Sequence, residues 1–346
     1  MVGTGSTVRL GIALRRGPVT ELRQQAAAAR TSGMDTLWIA DHMTGFPVGA
    51  PVFEPFSALA ALSGEARGLS LGIAVTDPFR RHPAVLAQTA MTLRAFTGTP
   101  LFLGLGAGES MNLDPYGIAR NRPLAHLRQT IIALKALEGS ERTAPVDLAL
   151  DGLRFDSAYL QQPPQLPELP VFLGTNGPKG RDLVGELADG WLPIMLTPEL
   201  IAEDLAGIRQ AAERAGRDPA AIRVAYHSWF AVSDTKEEGL RMIANGAKSV
   251  LLGFPRLAER LGSSIPGQFD WNGLRVLGGV AEDIRRTADE LPDDLVRRVA
   301  VYGTAEDCAA MIGEYAAAGV TDLIFRHVNP LDELPGALSA VRAATG

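Results

Sequence analysis

Apolar residues along this chain recur in two alternating rhythms. Runs such as LSLGIAV at 69–75 and LFLGLG at 101–106 are short and continuous, as buried strands are, whereas 83–96 repeats its apolar positions at helical spacing and opens on Pro83. The same alternation predicts strands at 8–14, 36–40, 69–75, 101–106, 170–173, 190–195, 222–232 and 321–326. Helices are predicted at 19–32, 56–65, 83–96, 124–137, 178–187, 198–215, 236–247, 305–318 and 334–344. Strand and helix in strict alternation make an α/β fold with a parallel sheet, and eight strands make it a (β/α)8 TIM barrel. Loops that follow the strands of such a barrel gather on one rim, so 76–82 and 106–116 should lie side by side at one mouth. An open doubly wound sheet would carry a glycine-rich turn after its first strand, and LRRGP at 14–18 is not one.

Two segments break the rhythm. Residues 144–169 read as a small hairpin with a proline-rich lead into the next strand, and 253–295 as a long insertion of short helices and Pro-Gly turns. Insertions of this kind cap the mouth of a barrel and shape its choice of substrate. Phe254, Pro255, Leu257, Phe269 and Trp271 predict an apolar lid over a fairly hydrophobic small molecule. With 346 residues, 46% of them hydrophobic, the chain fits one barrel domain over 1–346 better than several small ones.

Net charge is −6 with both signs interspersed, which argues against nucleic acid as a partner and requires any anionic ligand to be held by local features. The single Cys308 excludes an internal disulfide and a thiolate metal cluster, and is expected as a buried small residue in a helix. No apolar run approaches the roughly 20 residues of a membrane span, and MVGTGSTVRLGIAL lacks the charged and apolar regions of a leader. A cytoplasmic protein without a membrane partner is expected. HExxH, CxxC, GxSxG and P-loop patterns are missing, and no metal site is expected.

Three loops carry candidate chemistry. Asp41 and His42 follow the second strand, where a histidine can donate a proton and an acid can orient a ring. Ala107, Gly108, Glu109 and Asn112 close the fourth strand, after glycines that let a flat ligand approach the backbone. Gly174, Thr175, Asn176, Gly177, Pro178 and Lys179 lead into a helix whose N-terminus, with the lysine, suits a phosphate. Arg80, Arg81 and His82 add positive charge near the same rim, in a run that solvent alone could explain.

The run VTDPFRRHPAVLAQTAMTL, then GLGAGESMNLDPYGI, with ADH at the second strand end and GPKGRDLVGELADGW and VYGTAEDCAAMIGEYAAAGVTDLIF later, resembles the bacterial luciferase-like flavin and deazaflavin oxidoreductases. Within them it resembles the coenzyme F420-dependent branch, which includes methylenetetrahydromethanopterin reductases and phthiodiolone ketoreductases. The likeness implies a deazaflavin across the barrel mouth, contacted by Asp41, His42, Ala74, Val75, Thr76, the Ala107–Asn112 loop and the loop from Gly174 to Lys179. It implies a non-prolyl cis peptide between Ala74 and Val75 as well. Sugar-phosphate dehydrogenases of this superfamily have a glutamate after the first strand and an aromatic after the Asp-His pair. Here Leu14-Arg15 and Met43-Thr44 stand there, so that activity is not implied.

The expected function is reduction of a C=O, C=C or C=N group by reduced F420, with Glu109 or His42 handling the proton, in a homodimeric enzyme. An FMN-dependent monooxygenase is the alternative enzyme, and a non-catalytic flavin-binding protein the alternative of another class.

Overall fold

The computed structural model describes residues 8–45 and 49–345. Residues 1–7, within the stretch read for leader signals, lie outside the described residues, as do 46–48 and 346. Among the described residues eleven strands follow one another: β1 (Arg9–Ala13), β2 (Thr36–Ile39), β3 (Ser70–Thr76), β4 (Leu101–Gly106), β5 (Val146–Leu150), β6 (Leu153–Ala158), β7 (Val171–Gly174), β8 (Gly190–Trp191), β9 (Arg223–Val232), β10 (Val301–Gly303) and β11 (Asp322–His327). Parallel pairing runs β1-β2-β3-β4-β7-β8-β9-β11, and β11 pairs back onto β1, so eight strands close into a barrel ringed by helices.

Several of the helices start on a proline in their first turn, among them Pro83–Thr97, Pro123–Glu138, Pro178–Leu187 and Pro198–Arg214. A missing N–H costs nothing there, and the fixed φ favours helix entry. β8 is shorter than the run 190–195 suggests. Pro193 has no N–H to give the ladder, and only Ile194 rejoins it, as a bridge to His227. β10 had no counterpart in the hydrophobic pattern, because three residues are too few to show one. It pairs with the C-terminal end of β9 at Phe230 to Val232.

The barrel interior is filled in layers, which is why the site sits at one end. Arg9, Arg223 and Asp322, all at strand beginnings, plug the N-terminal end: Arg223 donates to both Asp322 carboxylate oxygens at 2.6 and 2.8 Å and lies over the Phe102 ring at 4.7 Å. Above them Trp38 stacks on Phe102 at 5.6 Å and meets Phe172 edge-on. Gly72 and Gly190 make room for these rings, since a Cβ at either would fall 2.1 and 2.2 Å from Trp38 and Phe172 respectively. With the lower two layers full, the cavity lies at the C-terminal mouth.

β5 and β6 form an antiparallel pair outside the barrel. The segment 253–295 folds into the helices Pro255–Arg260, Val280–Glu290 and Asp294–Arg297. Leu252, Phe269, Leu274, Ile284 and Ala288 form a small core of its own. Cys308 is buried in the helix Ala305–Ala317, where burial pushes its thiol up to about 12, leaving it unreactive.

Candidate active site at the barrel mouth

A cavity of about 400 Å³ opens at the C-terminal ends of the strands, within the range of cofactor and small-ligand sites. Its floor is made by one side chain and three missing ones. The β3–β4 register shifts between Ile73 and Thr76, and the Ala74–Val75 peptide is cis. Val75 leans over β4 and β7, so that a Cβ at Gly104, Gly106 or Gly174 would come within 3.0, 2.5 or 2.9 Å of its methyls. The glycines of GLG and of the strand-end Gly174 are therefore needed for packing Val75 as well as for a flat surface above it. Gly106→Ala is expected to destabilise the fold by about 1–3 kcal/mol through overpacking. Gly207→Ala, on an exposed helix surface with nothing within 4 Å of a new Cβ, should instead stabilise it by about 1 kcal/mol. Urea unfolding of the two variants checks this contrast.

Asp41 lies at the wall of the cavity, buried, with both carboxylate oxygens hydrogen-bonded. It accepts from Thr76 Oγ1 at 2.6 Å, from Arg80 at 2.9 Å and from Arg81 at 2.6 Å, while Arg80 also donates to the Asp41 carbonyl. Asp77 holds Arg80 from the other side and Glu54 holds Arg81 at 2.8 Å. The run Arg80-Arg81 is thus a set of buried partners for acids rather than a solvated face. His82 stays exposed and caps its helix by accepting from the Ala84 N–H.

Glu109, Asn112 and His42 form a second cluster. Asn112 Oδ1 accepts the Met43 N–H at 2.8 Å, which fixes the orientation of the amide. Its Nδ2 therefore faces both His42 Nδ1 and Glu109 Oε2, each at 2.9 Å, and the two protons of that NH₂ serve two acceptors. His42 Nδ1 accepts, so the proton of the neutral ring sits on Nε2. Burial, and then Arg16, Arg326 and Arg80, hold the His42 pKa well below its usual value, so the ring is neutral at pH 7 and its 3.5 Å approach to Glu109 is no ion pair. Burial pushes Glu109 up to about 7, against the opposing pull of Arg16, the Asn112 hydrogen bond and Arg80. A carboxyl poised between its two protonation states at neutral pH suits general acid work.

The loop after β7 contributes Gly174, Thr175, Asn176 and Gly177 to the cavity. Trp191 Nε1 donates to the Thr175 carbonyl at 2.7 Å and pins the loop. Gly177 caps the helix Pro178–Leu187 without a side-chain bond to its first N–H groups. Pro178 and Lys179 stand outside the cavity lining, exposed in the first turn. Ala74, Val75, Thr76, Ala107 and Gly108 all line the cavity.

From the insertion, Phe254 and Trp271 pack at 4.9 Å and reach the cavity, while Leu257 is buried in the main core and Phe269 in the insertion's own. Asn272 ties this lid to the rim through Ser110 and through Arg120, which donates to it at 3.1 Å. Three buried polar atoms among the lining residues have no partner among the described residues: Asn176 Oδ1, His227 Nε2 and Trp271 Nε1. Orphans gathered at one cavity are what a polar-edged ligand would satisfy.

The family of luciferase-like monooxygenases matches residues 2–322. The chain belongs to that family. It is an enzyme, an oxidoreductase of the luciferase-like superfamily. Over 345 aligned residues it is 30% identical to a phthiodiolone/phenolphthiodiolone dimycocerosates ketoreductase of Mycobacterium kansasii, covering 89% of this chain and 92% of that one. It is 27% identical to a 5,10-methylenetetrahydromethanopterin reductase of Methanolobus tindarius, covering 89% and 90%. Among solved structures, an F420-dependent secondary alcohol dehydrogenase in complex with an F420-acetone adduct superposes with a TM-score of 0.81 at 20% identity, over 98% of this chain and 99% of the other, which is a likeness of fold.

Four side chains of this luciferase-like site were not legible as such in the sequence: Arg16, His227, Trp229 and Arg326. His227, Trp229 and Arg326 line the cavity from β9 and β11, and Arg16 acts on His42, Glu109 and Arg326 through its charge. None of them falls in a recognisable motif: Arg16 sits in LRRGP, His227 and Trp229 in YHSWF, and Arg326 in FRHVN. The signal available was position alone, since 326 ends the last predicted strand and 16 follows the first.

Proposed function

We propose that this enzyme binds coenzyme F420 across the barrel mouth and reduces a C=O, C=C or C=N group of a small organic substrate. The observation that carries this reading is Glu109, a carboxyl with a pKa of about 7, at the edge of a flat glycine-and-valine floor. The names of the curated relatives, two kinds of reductase, support it. So does the fit of the residues: Gly106, Gly174 and Val75 leave a flat cradle, and Asn176 Oδ1 is an orphaned acceptor beside it.

When bound, the deazaflavin would supply a hydride from a ring carbon. The remaining work belongs to the protein. The loop from Gly174 to Lys179 would hold a phosphate at the helix N-terminus. Phe254 and Trp271 exclude water above the floor and keep the acceptor in near-attack geometry. Glu109 holds the proton that the reduced substrate needs, and Asn112 keeps its carboxyl facing the cavity. His42 offers an Nε2–H to a substrate or ring oxygen. Asp41, at the cavity wall, positions Arg80, Arg81 and the loop that carries His42.

Titration of the purified protein with F420 and with FMN, read by absorbance and fluorescence, tests this reading. F420 should bind and reduced F420 should not drive oxygen consumption. Tight FMN binding with oxygen consumption would favour the monooxygenase that the family description names. Lys179→Glu should weaken F420 binding by about 1 kcal/mol, fading at high salt, because Lys179 is exposed and reaches a phosphate through solvent-screened charge. Unchanged affinity at low salt would make the loop a helix cap only.

A further inference from the structure

Arg326 is a cation that the proposed cofactor chemistry does not use. It ends β11, lines the cavity and lies over the Trp229 ring at 5.2 Å. Arg80 and Arg81 at the same mouth are held by Asp41, Asp77 and Glu54. Arg326 has no carboxylate and no hydrogen-bond acceptor among the described residues. Burial and Arg16 lower its pKa to about 10, with Glu109 opposing, so it stays charged at neutral pH. A guanidinium removed from most of its water, with five N–H donors and no acceptor, is stabilised by a ligand that brings one.

The surroundings specify the ligand further. Trp229 and Arg326 are paired in the β9–β11 ladder, and His227 stands opposite Ile324 two residues back. His227 Nε2 and the Trp271 indole N–H are both buried on the same cavity without a partner among the described residues. Trp271 can only donate, and the guanidinium fork matches two oxygens of one planar group. Phe254, Val250 and Ile194 supply apolar surface. The helix N-terminus proposed for the cofactor phosphate follows β7, and β8 and β9 lie between it and β11, so the two anion sites are separate.

We infer that Arg326 docks a carboxylate of the substrate, making the preferred acceptor an unsaturated or carbonyl-bearing organic acid with an apolar body under Phe254 and Trp271. The inference rests on the reductase reading for the reaction, but the binding it asserts is measurable without turnover. It also amends the expectation of a fairly hydrophobic substrate to an amphipathic one.

The experiment uses three acid–amide pairs of increasing apolar size: crotonate, cinnamate and trans-2-decenoate, each with its primary amide, plus benzyl phosphate. Dissociation constants are measured by calorimetry on the F420-loaded protein, and on the protein alone. At least one acid should bind tenfold or more tighter than its amide. Arg326→Gln should remove that preference while leaving the amide within threefold, and Arg326→Lys should keep part of it. F420 affinity, titrated separately, should change by less than threefold in both variants. Circular dichroism melting establishes that the variants are folded, and if Arg326→Gln is not, the lysine variant and the acid–amide ratio in the parent protein decide. No acid favoured over its amide overturns the inference, as does a loss of F420 binding on replacing Arg326, which would turn the guanidinium toward the cofactor. Benzyl phosphate binding tighter than every acid, with the same dependence on Arg326, overturns the carboxylate assignment. Failure of F420 to bind the parent protein, with the acid preference intact, would sink the cofactor reading and leave this one standing.

Discussion

Glu109→Gln is expected to slow the reduction step by about 10²–10⁴ while changing F420 affinity little, because glutamine keeps the size and the Asn112 contact but has no proton to give. The pH dependence distinguishes proton donation from mere shape. Glu109 must be protonated to act as the acid, and its pKa is about 7. Single-turnover rates in the parent enzyme should be high below that value and fall tenfold per unit above it. In the glutamine variant that limb should vanish. An equal rate in both proteins, or an unchanged limb, would assign the proton to water or to His42.

The same shift makes a prediction about stability that needs no substrate. The folded pKa of Glu109 lies above the ordinary carboxyl value of 4.5, so its contribution is fully present below about 4.5 and is lost as pH rises through about 7. Full conversion of the shift at about 1.4 kcal/mol per unit overstates the loss, because the side chain is 29% exposed and partly screened. A stabilisation of about 1–2 kcal/mol for Glu109→Gln is expected at pH 8, shrinking toward zero at pH 4.5. Urea midpoints at the two pH values measure it.

The barrel and the site differ in how far they could be read from the chain. Buried parallel strands are apolar throughout, so LFLGLG announced β4 to the residue, and prolines stood at the predicted starts of three helices, Pro83, Pro178 and Pro198. Motif-bearing loops were visible for the same local reason: ADH, GAGES and GTNGPK each put several unusual residues together. Arg326 and Trp229 were not, because their significance lies in a ladder pairing between segments about a hundred residues apart. The partners of Asp41 were hidden on the same ground. From the sequence it looked like a group facing a ring, and only the folded chain shows two arginines of the next loop closing on it. Gly106 and Gly174 were expected to admit a ligand, and the fold adds that they first admit Val75.

Removing the Asp41 carboxylate should therefore be a structural injury before it is a chemical one. In Asp41→Ala, Arg80 and Arg81 lose a shared buried counter-ion, with side chains only 10% and 17% exposed. Breaking a buried pair costs about 3–5 kcal/mol, and the lower end is expected here because Asp77 and Glu54 remain as partners. Asp41→Asn keeps an acceptor for Thr76 but no charge, and should fall between the parent and the alanine variant. Coupling identifies the cause. In a double-mutant cycle with Arg81→Ala, the cost of Asp41→Ala should shrink by about 1–3 kcal/mol, since the stranded charge is gone. The injury should also reach the catalytic cluster, because Arg80 donates to the Asp41 carbonyl and Asn112 to the His42 ring on the same short loop. The pH at which the reduction rate falls should shift in Asp41→Ala, as Arg80, one of the cations that opposes the rise in the Glu109 pKa, moves away. Arg80 withdrawing from Glu109 raises that pKa, so the descending limb should move to higher pH; a limb left at about 7 would show that Asp41 stabilises the wall without setting the geometry of the acid.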